Sequence, residues 1–355
     1  MRLHLEFAHT FEPRAWEERH AEGLVPDRLP YGLDRLADLG FDLVVRPSAA
    51  SQSVDRVDAV ARRATGGLEL VHALRDRERR SCDLAVCWDE RTGLPAALRS
   101  GVPGEPPTAL GVIWATEPDA RLNAAGSFLA RRSLKQAAAV WTLSTGQLPV
   151  LESTWGVDRS RLHFVRMGID EQFWQSSGAE PESGLVVGAG NDRHRDHALL
   201  VEAMAQVRRA GHPSACLELV TQTPIDVPSE VGVRHHYLSH VEMRNLYARA
   251  AVVAVVVKPN LHVSGMSVLL EAMACGRPVV ATNTPGMADY VADGETGLLV
   301  PPGDADALAA AVASLLAEPE RAGALGQAGR RRIESDFTTP HLASQLADVS
   351  RAAAS

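Results

Sequence analysis

Residues 262–286 run HVSGMSVLLEAMACGRPVVATNTPG, and this stretch decides the fold. From Met266 to Ala274, the apolar residues Leu269, Leu270, Ala272, Met273 and Ala274 cover every azimuth of a helix, so the segment demands burial all round. Gly276 stops the helix, and Pro278-Val-Val-Ala-Thr282 resumes as a buried strand. One carboxylate, Glu271, interrupts the apolar surface and needs a partner, because a buried charge is costly unless paired or hydrogen-bonded. The free amides of the helix start at Gly265-Met266-Ser267 can receive an anion, while Glu271 accepts hydrogen bonds from a diol. An anion beside a diol describes a nucleoside diphosphate. A glutamate satisfied only by the helix dipole and a neighbouring amide explains the segment equally well.

Outward from this stretch, strand-like and helix-like segments alternate over most of the chain, which argues for parallel sheets covered by helices. Strands are predicted at 3–7, 41–45, 84–88, 109–114, 138–143 and 162–165, with helical runs at 33–39 and 93–99 between them. The polar, Pro/Gly/Ser-rich stretch 175–184 has linker composition. Beyond it, strands are expected at 185–187, 217–221, 232–236, 252–257, 278–282 and 297–300, with helices at 197–210, 241–250, 287–292 and 304–317. The expected organisation is therefore α/β, with a doubly wound domain at 1–175, a linker at 176–184, a second doubly wound domain at 185–335, and a terminal helix at 336–355 that crosses back to the first domain. Ligands bind such sheets at the ends of the parallel strands.

Bulk properties agree. The chain has 355 residues, 45% hydrophobic and 23% charged, with 28 Gly and 21 Pro, which suits two globular domains. A net charge of −8 gives no support to a broad nucleic-acid-binding face. The cluster from Arg75 to Arg80 mixes signs and suits a solvated helix face. Cys82, Cys87, Cys216 and Cys275 lack CxxC spacing, so reduced thiols are expected. MRLHLEFAHT has no apolar core of a signal peptide, and the apolar run 250–257 is far short of the roughly 20 residues that span a bilayer. A cytoplasmic protein without a transmembrane segment is the expectation.

A second constellation, Val187-Gly-Ala-Gly190-Asn191-Asp192-Arg193-His194-Arg195-Asp196-His197, follows a strand and precedes a helix. Its small residues let backbone approach a ligand, and Arg193 and Arg195 are candidates for phosphate oxygens. A solvated charged loop is the plainer alternative. The third glycine of GxGxxG is missing, which weighs against a nicotinamide site. His194 and His197 lack an evident matching set of Cys or carboxylate ligands, so no metal is expected. Asp304-Ala-Asp306 opens an apolar helix and suits capping. GxSxG, Walker A and HExxH are all absent from the sequence.

Taken together, Ser267-Val-Leu-Leu-Glu-Ala-Met-Ala-Cys-Gly-Arg-Pro-Val-Val-Ala-Thr282, Pro285-Gly286 and Asp293-Gly-Glu-Thr-Gly-Leu-Leu-Val-Pro-Pro-Gly-Asp304 resemble the C-terminal domain of GT-B glycosyltransferases of the GT4 group. Leu246-Tyr-Ala-Arg-Ala250, Val165-Arg-Met-Gly-Ile-Asp170 and Leu143-Ser144 extend the resemblance over roughly 138–335. It implies a GT-B fold, two Rossmann-like domains facing across a cleft, with the donor held by the C-terminal domain and the acceptor by the N-terminal one. Glu271 would then bind the ribose hydroxyls, and Gly265, Met266 and Ser267 the diphosphate or donor sugar. Arg195 falls where the family has a diphosphate-binding lysine, after Gly190, Asn191 and Arg193, and Tyr237-Leu238-Ser239 falls at the base-contacting strand end.

The family's paired glutamates are not both present, since Val263 occupies the position of the first; His262, Ser264 and Lys258 are candidate substitutes. No glycine-rich loop follows the first strand, where Ala8-His9-Thr10 stands, and Trp114-Ala-Thr116-Glu117-Pro118 replaces an expected histidine. His9 and Glu117 are thus candidates for acceptor or reaction-centre contacts, with Arg195 as the leaving-group cation. The implied reaction is retaining, metal-independent glycosyl transfer from a nucleotide-diphosphate sugar, as co-substrate and with no separate cofactor, to a small-molecule or glycoconjugate acceptor. Alternatives are a catalytically weak GT-B binding protein, or an epimerase- or phosphorylase-type GT-B enzyme. A homodimer is left open. The segment containing Trp16 to His20 and Leu29-Pro-Tyr-Gly-Leu33 suggests a specialised acceptor pocket.

Overall fold

The computed structural model describes residues 1–8, 10–45, 52–71, 78–118, 120, 122–176, 178 and 180–354. They fall into two compact units, one of residues 1–19, 28–166 and 342–355, the other of residues 20–27 and 167–341. The change of unit at 166–167 precedes the expected linker at 176–184, and residues 342–355 group with the first unit.

The first unit is built on β1 (Arg2–Glu6), β2 (Asp42–Val45), β3 (Leu84–Cys87), β4 (Thr108–Gly111), β5 (Ala139–Thr142) and β6 (Leu162–Phe164), parallel throughout and ordered β2-β1-β3-β4-β5-β6. Helices α1 (Pro13–Ala21), α2 (Gln52–Thr65), α3 (Glu90–Arg99), α4 (Ala124–Gln136) and α5 (Leu148–Ser153) connect them. Leu94, Ala97, Leu110, Ala130, Leu134 and Val140 form part of its core. Under this core lies an ionic knot. Fully buried Arg79 donates to Glu6 (3.2 Å), the Thr108 hydroxyl (2.7 Å) and the Ala96 carbonyl (3.0 Å), and sits 3.5 Å from Glu105.

The second unit repeats the architecture with β7 (Leu185–Ala189), β8 (Cys216–Val220), β9 (Gly232–His235), β10 (Val252–Val255), β11 (Val279–Thr282) and β12 (Leu298–Val300), parallel and ordered β12-β11-β10-β7-β8-β9. Helices α6 (His197–Arg209), α7 (His240–Arg249), α8 (Met266–Ala274), α9 (Ala305–Ala317) and α10 (Pro319–Asp336) cover the faces. Val186, Leu200, Met204, Leu219, Val252, Ala254 and Val280 are core residues. Successive strands run outward from β7 to β9, then the order jumps back to β10 on the other side of β7. The loops after β7 and β10 therefore flank the point where winding reverses, which is where doubly wound sheets bind ligands.

Two expected helices differ. Residues 287–292 make only a 3-10 turn, Met287–Asp289, entered through Gly286 at φ 87°. Residues 33–39 belong to a 3-10 stretch, Pro30–Leu39, in which Tyr31 (φ 64°) and Gly32 (φ 67°) break the helical path. The last helix is α11 (Thr339–Ala354). Among the described residues, no helix is long and apolar enough to cross a membrane.

Candidate functional site

The loops at the reversal point of the second sheet carry most of the residues the sequence singles out. They are stitched to each other before any ligand is considered. Asp196 N donates to Val256 O (2.9 Å), Lys258 N donates to His194 O (2.7 Å), and Arg195 forms a β-bridge with Val257. The Ser264 hydroxyl donates to Asp192 (2.7 Å), and Ser264 N donates to the Asn260 side chain (2.9 Å).

Arg195 lies at the centre, its side chain only 6% exposed. Two glycines make room for it: a Cβ on Gly190 would sit 2.3 Å from Arg195 Nε, and one on Gly265 would sit 2.6 Å from a terminal guanidinium nitrogen. The guanidinium is thus seated between the end of β7 and the start of α8. Its Nε donates to Asp192 at 3.0 Å. Burial pushes the Asp192 carboxyl up, but Arg195, the Ser264 hydroxyl and the His194 amide outweigh it and hold the group below the usual range.

Gly265 is the N-cap of α8, in the left-handed conformation at φ 89° and with no side-chain cap. Met266 is half-buried and Ser267 exposed, so the first turn opens to solvent and offers its amides to an anion. One and a half turns along, Glu271 accepts a hydrogen bond from the Tyr247 hydroxyl of α7 at 3.0 Å. Desolvation drives the Glu271 carboxyl up to about 8, against weaker opposition from that hydrogen bond and from Arg195. Burial and the adjacent Glu271 charge raise the Tyr247 phenol well above its ordinary value. Glu271 nevertheless keeps a partly exposed edge. Two pairings were missed by sequence reasoning: Tyr247 stood in a quoted motif but 24 residues from Glu271, and Ser264 lies 72 residues from Asp192, so no local spacing marks either pair.

The remaining candidates divide. Asn191 accepts from Gln222 N (2.6 Å), which ties the β7 loop to the loop after β8. Arg193 is half-buried in the same loop, and Lys258 is exposed. His262 and Ser264 are buried beneath the loops at 5% and 2% exposure. Ser239 forms a capping box with Glu242 at the start of α7, so its hydroxyl holds a helix end, while Leu238 is half-buried beside it. Val263, where the first glutamate was expected, adopts φ 54°, strained for a β-branched residue. Glu117 is buried in the first unit after β4, apart in sequence and unit from the donor candidates. His9 lies outside the described residues, as does part of the basic cluster beginning at Arg75. Asp304 caps α9 through Ala307 N (2.8 Å), as its context implied.

The two histidines of the loop part company. His197 turns inward and donates from Nε2 to Gly190 O (2.9 Å), a carbonyl that also accepts from the Thr221 hydroxyl (2.8 Å). His194 instead meets Asp192 and His262, whose side chains present ligand-type atoms within 4.8 Å of one another. A separate cavity of about 680 Å³, lined by Ser176, Cys275, Arg277 and Arg330 among others, lies by the residues that precede β7, β10 and β11, at the opposite edge of the sheet.

Two parallel α/β sheets, each reversing its winding at the ligand-binding edge, define the GT-B class of fold. Residues 182–318 match the family model Glycosyl transferases group 1, and by fold the chain is a GT-B protein that resembles the GT4 glycosyltransferases. Alpha-maltose-1-phosphate synthase of Mycolicibacterium smegmatis is 30% identical over 255 residues, covering 63% of this chain and 66% of that protein. D-inositol 3-phosphate glycosyltransferase of Paenarthrobacter aurescens is 28% identical over 192 residues, covering 48% and 47%. The chain thus spans about half to two thirds of these curated relatives. Among solved structures, sucrose-phosphate synthase from Thermosynechococcus elongatus superposes with a TM-score of 0.71 at 17% identity, over 99% of this chain and 98% of that one. Anabaena HepE in complex with UDP and glucose superposes at 0.67 and 15% identity, over 99% of both chains.

Proposed function

We propose that this chain transfers a glycosyl group from a nucleoside diphosphate sugar to an acceptor hydroxyl. The reading rests on Arg195, a desolvated cation seated between Gly190 and Gly265 beside the uncapped start of α8. When the sugar–phosphate bond breaks, negative charge grows on the departing diphosphate. A fixed cation and oriented amides facing that charge in a water-poor site are usually the largest catalytic contribution. Glu271, steadied by Tyr247, is placed for the ribose diol a turn and a half further on. Protein groups meet the leaving-group charge, so the transfer step needs no metal ion. In this reading the leaving phosphate itself takes the acceptor proton, which accords with retention.

The names of the relatives support this reading, as does the UDP complex of HepE. Incubating the protein with UDP-, GDP-, ADP- and dTDP-sugars and measuring nucleotide release tests it. Release from one donor class is expected, with turnover lowered at least a hundredfold in Arg195→Ala and donor affinity lowered in a still-folded Glu271→Ala. Tight nucleotide binding without release would favour the partner-protein alternative, to which the apolar Val263 lends some support. Absence of both binding and release would overturn the proposal.

A further inference from the structure

Among the described residues, no other trio of histidine, cysteine and carboxylate side chains converges as Asp192, His194 and His262 do. Both imidazoles are more than nine-tenths buried, at 6% and 5% exposure, with ring centroids 5.0 Å apart. His194 Nδ1 stands 4.0 Å from Asp192 Oδ1. The other oxygen, Oδ2, is the one engaged by Arg195 and the Ser264 hydroxyl, so the carboxylate is already oriented by neighbours on its far side. Oδ1 also accepts from His194 N (2.8 Å), which fixes the carboxylate against the backbone of its own loop.

The backbone holds the three donors as firmly as their hydrogen bonds do. Asp192 and His194 lie on the loop after β7, and His262 on the loop after β10. The Lys258–His194 and Ser264–Asp192 hydrogen bonds clamp those loops together. Supporting hydrogen bonds of this kind typically orient metal ligands and raise affinity about 10- to 100-fold. Two imidazoles and one carboxylate suit Zn²⁺ and neighbouring transition metals, whereas Mg²⁺ and Ca²⁺ prefer oxygen-only sets. Bonds of roughly 2.0–2.2 Å would require the donors to draw in by about 1 Å, within reach of side-chain rotation.

We propose that Asp192, His194 and His262 bind one divalent transition-metal ion of the Zn²⁺ type, with a fourth position left to water or an anionic oxygen. The proposal does not rest on the transfer step above, although Asp192 also holds Arg195, and its test uses the metal alone.

Full-length protein stripped with chelator is titrated with Co²⁺ and followed by its visible absorption, then with Zn²⁺ by calorimetry. One equivalent should bind with the absorption of a tetrahedral site. His262→Ala and His194→Gln, each checked for a native melting transition, should bind at least tenfold more weakly. His235→Ala, which removes the histidine paired with Glu218 at 2.9 Å, should bind as wild type. Lack of saturable binding below about 100 µM, or wild-type binding by both His262→Ala and His194→Gln, overturns the proposal.

Discussion

Glu271 concentrates several of the site's properties in one carboxyl group. Its pKa in the folded chain, about 8, is well above the ordinary 4.5, because burial outweighs the Tyr247 hydroxyl and Arg195. Between those two values the folded state binds more protons than the unfolded chain, so this group's contribution to stability falls as pH rises through the window. The loss approaches about 1.4 kcal/mol per pH unit. Thermal melting of the ligand-free protein should show this decline, and Glu271→Gln should flatten it; an unchanged slope would count against the burial of this carboxyl. Hydroxyl donors from a ribose favour the ionised form, so nucleotide binding at pH 7 should release a proton. Affinity should therefore rise toward pH 8 by at most about tenfold per unit. Calorimetry in two buffers of different ionisation heat measures that proton directly, and equal heats would contradict it.

Val263 shows a different kind of residue-scale signal. A buried β-branched side chain at φ 54° carries strain of order 1–3 kcal/mol. Sequence reasoning marked the position for its missing carboxylate but had no means of seeing its backbone.

At the scale of elements, the strands were the most legible part. Parallel strands buried on both faces appear as short continuous apolar runs, and VVAV of β10 and VVAT of β11 are fully buried as such runs require. The 287–292 segment misled because Met287, Tyr290 and Val291 are buried at helical spacing, although only one 3-10 turn forms. Gly265 and Glu271 could be found because their relation is local, within one helix start. Tyr247–Glu271 and Ser264–Asp192 could not, since each joins separate elements.

The seat of Arg195 yields a prediction at this scale. An alanine at Gly265 would bring its Cβ within 2.4 Å of Val255 and 2.6 Å of Arg195, in addition to the left-handed cost of about 1–2 kcal/mol. Gly276, also left-handed at φ 69°, has open space around it. Gly265→Ala should therefore lower the melting temperature more than Gly276→Ala and weaken nucleotide binding at least tenfold. Equal effects of the two variants on binding would remove the close packing of Arg195 as their cause.

Across the whole molecule, each unit carries its own sheet and core, so damage can be directed to one of them. Arg79 is fully buried among Glu6, Thr108 and Glu105 in the first unit. Replacing it with leucine leaves buried carboxylates without that cation, which typically costs about 3–5 kcal/mol. Hydrogen exchange in Arg79→Leu should rise in β1, β3 and β4 while β7 to β12 keep their protection. Uniform loss across both sheets would show that the units unfold together. The first unit was also the less legible half for function, because its candidates Glu117 and His9 rested on position in a divergent loop order rather than on any local chemistry.

The assignment of residues 342–355 to the first unit bears on how the chain is made. Leu342, Ala343, Leu346 and Val349 are buried, Arg166 N donates to Gln345 (2.9 Å), and Arg351 lies 5.2 Å over the Phe41 ring. A ribosome delivers residues 1–19 and 28–166 early, yet the segment that completes their unit, 342–355, emerges only after the strands of the second unit. The unit begun first is finished last, and the second unit has all of its strands in hand while the first is still waiting for a missing piece.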